Sequence, residues 1–350
     1  AFQRLKQHPR GFWFVFWGEL AERASYYGMR AILALYLVDV LHFDQGRSGQ
    51  TVQFFIAGCY LMTIIGGLIA DHFLGIFRTI IYFSVPYIFG HLILGGLNTP
   101  FFMYIALMLL ALGSGTVKPN ISPLMGAIYE REKKTHLLTE AFSYFYAAVN
   151  IGAAVSMLSL PLLRDKFGYS IALICPTVLM AAAMAIFYMG KKHYPVEHVG
   201  KRPKKTDAQK AEEKAVLVSL AGVFGLIVLF WLVYDQSAST WIFFARDHMN
   251  LTLWPLNITI SADQAQGLNS LFIIMLTPFF IWLWGYLERL TGKPVPATRK
   301  IMLGFVLTTV CMAAMAFAGF LADSTGAKVS GWFIVLATFV ITLAELCVSV

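Results

Sequence analysis

Charge is what this sequence has least of. Asp, Glu, Lys and Arg make up 13% of its 350 residues, roughly half the 25% typical of soluble domains. So little polar surface excludes an ordinary soluble globule. The 58% apolar content, gathered in repeated runs of roughly 18 residues or more, points instead to a polytopic helical membrane protein. Cysteine is also scarce. Cys59, Cys175, Cys311 and Cys347 all lie in apolar segments, with no obvious pairing and no metal-ligand spacing. That excludes a disulfide framework and leaves them as small packing residues. His42, His72, His91, His136, His193 and His248 are scattered, mostly in loops or near span ends. No metal spacing, Ser/His/Asp set or phosphate loop accompanies them, so a membrane enzyme finds no catalytic constellation and no metal site here. A cleavable signal peptide is missing too, since Ala1–Arg10 is basic and runs straight into the first apolar stretch. No initiator Met stands at the start, which is therefore expected to be trimmed or incomplete.

Ten spans are expected, at about 12–38, 51–72, 79–98, 101–128, 138–162, 169–190, 215–245, 266–288, 300–322 and 331–350. With the N-terminus inside, the inside segments carry 19 of the 27 Lys and Arg and the outside loops 5, while Arg23, Arg30 and Lys118 fall within spans. This is the positive-inside pattern, so the net charge of +8 reports topology and not a nucleic-acid partner. The expected protein is a multi-pass protein of the plasma membrane (the inner membrane in a bacterium), with a cytoplasmic N-terminus and lipid as its surroundings. Oligomeric state is not readable. The longest polar segment, 191–214, centres on Lys201-Arg202-Pro203-Lys204-Lys205 and reads as a cytoplasmic basic linker. It separates a six-helix bundle, 1–190, from a bundle of four helices, 215–350. That arrangement suggests a transporter of two six-span bundles. The sequence stops in mid-helix at Val350, so at least two further spans are expected to be missing from the second bundle.

The first span holds the densest chemistry. Glu19, Glu22, Arg23, Tyr26, Tyr27 and Arg30 fall on one helical stripe, with Leu20, Ala21, Ala24, Met29, Ile32 and Leu33 on the other side for lipid or protein packing. Each charge at mid-membrane costs about 2.5–3.5 kcal/mol by insertion scales, so four on one face need partners, protons or water. The second span carries Tyr60 and ends in Gly67-x-x-x-Asp71-x-x-x-Gly75-x-x-Arg78, which resembles the cytoplasmic loop of the major facilitator superfamily. Asp71 and Arg78 are expected to act as gate contacts there, at a tight glycine turn. In the fourth span Lys118 lies among apolar residues, before the helix-disturbing Pro119. It is expected to pair with Glu19 or Glu22, and Gly113 and Gly115 are expected to let a neighbour approach closely. Asn150 in the fifth span offers both donors and an acceptor. Asp235 is the only acid of the seventh span, beside Gln236, Ser237, Ser239 and Thr240. Asn269 is a weaker candidate in the eighth span, and Glu345 and Ser349 share a face in the tenth.

Together these stretches resemble the proton-dependent oligopeptide transporters of the major facilitator superfamily. Glu19-Leu-Ala-Glu22-Arg23-Ala24-Ser25-Tyr26-Tyr27-Gly28 is similar to that family's E-x-x-E-R-F-x-Y-Y-G motif. The Lys118-Pro119-Asn120, Asn150, Phe230-Trp231…Asp235-Gln236 and Glu345…Ser349 segments follow in the family's order. The resemblance implies symport of di- and tripeptides with protons, the proton being the coupling ion and no cofactor being needed. It implies Arg23, Lys118 and Asn150 at the peptide carboxylate, Glu345 at the amino terminus with Ser349 nearby, and Tyr27, Tyr60 and Trp241 along side-chain pockets. Glu19, Glu22 and Asp235 would be the protonatable groups, with Arg30 paired to Asp235. Ala24 departs from the usual aromatic, and the short 191–214 segment lacks the two extra helices of many bacterial relatives. A transporter of nitrate or another organic anion, or a peptide sensor without flux, are the alternative readings. Glu345 favours a substrate with an amine.

Overall fold

The computed structural model describes residues 5–195 and 206–349. It divides into two compact units, Ala1–Val199 and Gly200–Val350. The first unit holds six long helices: α1 Arg10–Asp39, α2 Gln45–Ile69, α3 Ile76–Gly96, α4 Pro100–Arg131, α5 Leu138–Phe167 and α6 Tyr169–Met189. α1 packs against α5 and α6, α3 against α4 and α6, and α2 against α4. Apart from half-buried Tyr27, α1 is buried all round from Ala21 to Leu37. Its apolar side therefore meets protein, with Met29, Ile32 and Leu33 fully enclosed. Small residues permit this closeness. A Cβ on Gly152 of α5 would overlap the Leu20 carbonyl of α1, and one on Gly115 of α4 would stand 2.5 Å from the Cys59 carbonyl of α2. The close approach expected at Gly115 is thus present.

Among the described residues, eight helices are long and apolar enough to cross a membrane, and Trp332–Val348 is a shorter apolar helix. The charged stripe keeps α1 out of that class, although it is enclosed by membrane helices. The second unit comprises α7 Asp207–Tyr234, α8 Thr240–His248, α9 Gln264–Thr291, α10 Ala297–Thr325 and α11 Trp332–Ser349. Here α11 packs against both α9 and α10.

Two boundaries differ from those expected. The segment 191–214 is not linker throughout, because α7 begins at Asp207. Thr206 and Gln209 form a reciprocal capping box, and Lys210 pairs with Asp207 at 2.9 Å, so the polar stretch starts the helix well before its apolar part. The basic centre at Lys201–Lys205 lies outside the described residues. The seventh span is also not continuous. A 3₁₀ turn at Asp235–Ala238 separates α7 from α8. Gln236 and Thr240 bond each other at 2.8 Å, and Ser239 leaves the helical region. A cluster of short polar side chains competes with the backbone ladder and breaks the helix. Short strands, unforeseen in the sequence, tie the loops of this unit. β1 Met249–Asn250 pairs in parallel with β4 Val329–Ser330, and β2 Thr252–Leu253 pairs with β3 Ile258–Thr259.

Ahead of α1, His8 anchors the start of the chain. Its Nδ1 lies 2.5 Å from the Tyr129 hydroxyl, and its ring packs on Phe12, Tyr129 and Tyr144. Burial holds its pKa below the ordinary 6.5, outweighing the attraction of Glu140, while Lys134 adds repulsion. In the unfolded chain His8 takes up its proton near that ordinary value, before the folded state does. Stability is therefore complete above it and falls as pH drops below it. Thermal unfolding in detergent should show a larger loss of melting temperature from about pH 7.5 to about pH 5.5 in wild type than in His8→Phe. Equal losses would mean that His8 does not contribute.

Candidate functional site

The site begins with a local feature of α1. Glu19, Glu22 and Arg23 stand within one turn of each other, and all three are at most 3% exposed. Arg23 presents Nε and Nη2 to the two oxygens of Glu22, and Nε also lies 3.4 Å from Glu19 Oε1. A planar guanidinium can serve two carboxylates at once, which an ammonium does less well. Its carbon lies 5.5 Å and 5.9 Å from the ring centres of Tyr26 and Tyr27, within the range of a cation–π contact. Two acids share one base here, so the cluster carries one negative charge when both acids are ionised.

The pairing expected for Lys118 is absent. Arg23 is adjacent in the chain and already occupies both glutamates, so Lys118 makes no ion pair among the described residues. It is exposed, with its Nζ 5.8 Å from the ring centre of Tyr60, which is itself exposed. α4 runs unbroken through Pro119 and Pro123. Asn120 bonds the Thr116 carbonyl at 2.8 Å and the Gly66 carbonyl of α2 at 3.3 Å, fastening the two helices at the level of Lys118. Asn150 is buried and donates to the Tyr146 carbonyl in its own helix, 3.0 Å away. Arg30 is buried further along α1. At the end of α2 the chain makes a π-helical turn over Ala70–Leu74, and Gly75, at φ +81°, opens α3. Only glycine adopts that conformation readily. Asp71 lies within this turn and Arg78 in the first turn of α3, and both are exposed.

In the second unit Glu345 of α11 is buried and accepts from Asn269 Nδ2 of α9 at 2.9 Å. The same amide lies 2.9 Å from Thr342 Oγ1, and its oxygen accepts from the Tyr234 hydroxyl of α7 at 2.9 Å. Asn269 therefore gathers three helices around Glu345, a larger part than its lone polar character suggested. Asp235 is buried in the 3₁₀ turn, and Trp241 is buried in α8. Ser349 ends α11, and its side chain lies outside the described residues. The sequence reading missed Tyr234 and Thr342. Thr342 stands three residues before Glu345, a spacing that places both on one face.

Known proteins are similar to this chain over most of its length. The model of the PTR2 group, described as the POT family, matches residues 77–208 and 196–350. The chain belongs to the POT family. Human solute carrier family 15 member 2 is 32% identical across 88% of this chain, which spans 49% of that protein. Dipeptide and tripeptide permease B of Aliivibrio fischeri is 28% identical across 99% of the chain and 79% of its own length. The crystal structure of the POT family transporter PepTSo superposes with a TM-score of 0.84 at 26% identity, covering 98% of this chain and 82% of that one. The chain thus spans about half the length of its human relative and about four fifths of the Aliivibrio permease and of PepTSo. An all-α, multi-pass membrane protein with the fold of POT family transporters is therefore established, and its relatives are transporters and not enzymes.

Proposed function

We propose that the protein is a proton-coupled symporter of di- and tripeptides, working by alternating access with its N-terminus in the cytoplasm. The observation that carries this reading is the division of labour in the first unit. Arg23 is held by Glu19 and Glu22, while Lys118 stands exposed and unpaired by any described acid. A free cation beside a buried cluster with one excess negative charge suits an incoming peptide carboxylate. A proton arriving on Glu19 or Glu22 would neutralise that excess. In the second unit Glu345, oriented by Asn269, would take the peptide amine, with Ser349 nearby. Within the first unit Tyr27, Tyr60 and Asn150 would meet the substrate and Arg30 would serve the outer gate, and within the second Trp241 would meet the substrate and Asp235 would serve that gate. Asp71 and Arg78 would serve the cytoplasmic gate. The basic inner loops support the orientation, and the printed name of the Aliivibrio relative supports the substrate class.

The test is uptake of a labelled dipeptide by the full-length protein in proteoliposomes under an inward proton gradient. Wild type should accumulate it, and nitrate should not compete. Glu22→Gln should retain counterflow while losing uphill uptake, and Lys118→Ala should lose both. Uptake indifferent to the gradient would rule out symport, and competition by nitrate would favour an anion transporter.

A further inference from the structure

α3 contributes two buried polar residues that the α1 motif does not include. His91 is fully enclosed, and its Nε2 lies 2.7 Å from Ser25 Oγ on α1. Its ring stacks on Tyr87, with centroids 5.1 Å apart and planes inclined by 22°. Tyr87 is equally buried, seated against Gly113 of α4, beside Ser114 and within electrostatic reach of Glu22 and Arg23. α1 and α3 are not packed side by side, since α3 lies on α4 and α6 while α1 lies on α5 and α6. The His91–Ser25 bond therefore reaches between helices that share neighbours. Ser25 stands three residues past Glu22, on the same face of α1.

The Ser25 hydroxyl carries the polar chemistry of the buried His91 ring. His91 Nδ1 has no partner among the described residues. The contact to Ser25 is thus the one hydrogen bond of the ring among the described residues, with Nε2 donating or accepting according to the tautomer. Arg23 Nη1 and Glu19 Oε2 are likewise buried without hydrogen-bond partners among the described residues. The charged cluster thus has unused donors and acceptors on it, and a polar wall on α3 beside it.

We propose that His91 is a positioning residue for the Glu22–Arg23 pair. Its bond to Ser25 fixes the rotation of α1, and its stack on Tyr87 holds a hydroxyl beside the pair. The inference rests on the proton-coupled transport proposed above. In the full-length protein in proteoliposomes, His91→Phe keeps the ring but removes the bond. It should lose about tenfold in gradient-driven dipeptide uptake while counterflow stays within about twofold. His91→Gln places an amide near the Nε2 position and should recover most of the loss. Ser25→Ala removes the bond from the other helix and should repeat the His91→Phe result, which also covers a His91→Phe protein that does not fold. Wild-type rates in Ser25→Ala would overturn the proposal, as would a His91→Gln protein as impaired as His91→Phe. Wild type without gradient-driven uptake would instead defeat the transport reading, and this inference with it.

Discussion

Arg23→Met should destabilise the protein by about 3–5 kcal/mol, the usual effect of removing one partner from a buried ion pair, and should abolish dipeptide uptake. Methionine fills similar space, so the loss is one of charge and not of volume. Glu19 and Glu22 are 3% and 0% exposed and would be left as two neighbouring buried carboxylates with no guanidinium between them. Adding Glu19→Gln and Glu22→Gln to the same chain should restore most of the stability, because neutral amides need no counter-charge. Uptake should remain absent, because the triple variant has no proton acceptor there. Thermal unfolding in detergent, read beside proteoliposome uptake, separates the two effects. An Arg23→Met protein that melts with wild type would show that the carboxylates do not depend on the guanidinium.

Gly152→Val should remove most of the folded protein from the membrane. Any Cβ at this position meets the Leu20 carbonyl of α1, and a backbone atom cannot swing aside as a side chain can. Overpacking in a close-packed interior costs about 1–3 kcal/mol, and here the strain falls on the helix that the first unit surrounds. Leu20 lies between Glu19 and Glu22, so a displacement of α1 also moves the charged cluster. Gly126→Ala provides the contrast. A Cβ there meets nothing within 4 Å, and the smaller backbone entropy of the unfolded chain should leave stability level or raise it by up to about 1 kcal/mol. Fluorescence-detected size-exclusion of the two variants gives the comparison. A monodisperse Gly152→Val peak of wild-type height would contradict the packing described.

The sequence made the apolar spans and the charged stripe of α1 legible, because both rest on periodicity and on the cost of charge in lipid. It did not reveal which base takes which acid. Glu19, Glu22, Arg23 and Lys118 admit several pairings, and the choice depends on side-chain reach within one turn of α1, a matter of three-dimensional geometry. The break at Asp235–Ala238 was legible as a polar patch but not as a turn, since Gln, Ser and Thr are also tolerated within membrane helices. Asn269 was noticed, but its control of Glu345 depends on Tyr234 and Thr342 arriving from other helices. His91 carried a signal that was available. A histidine seven residues inside an apolar span carries the same cost of burial as a polar group there, a signal that its resemblance to the histidines of loops and span ends obscures.

The interruption after α7 has a mechanical corollary. α8 is a stub of nine residues hinged at one end by the Asp235–Ala238 turn, and its other end runs directly into β1. That strand is strapped to β4, which leads into α11, the helix bearing Glu345. A rod cut in this way can tilt without melting, but its free end is not free. Any swing of the stub must be shared by α11 or must tear the strap, so Asp235 and Glu345 are joined twice, once through the strap and once through Tyr234 and Asn269.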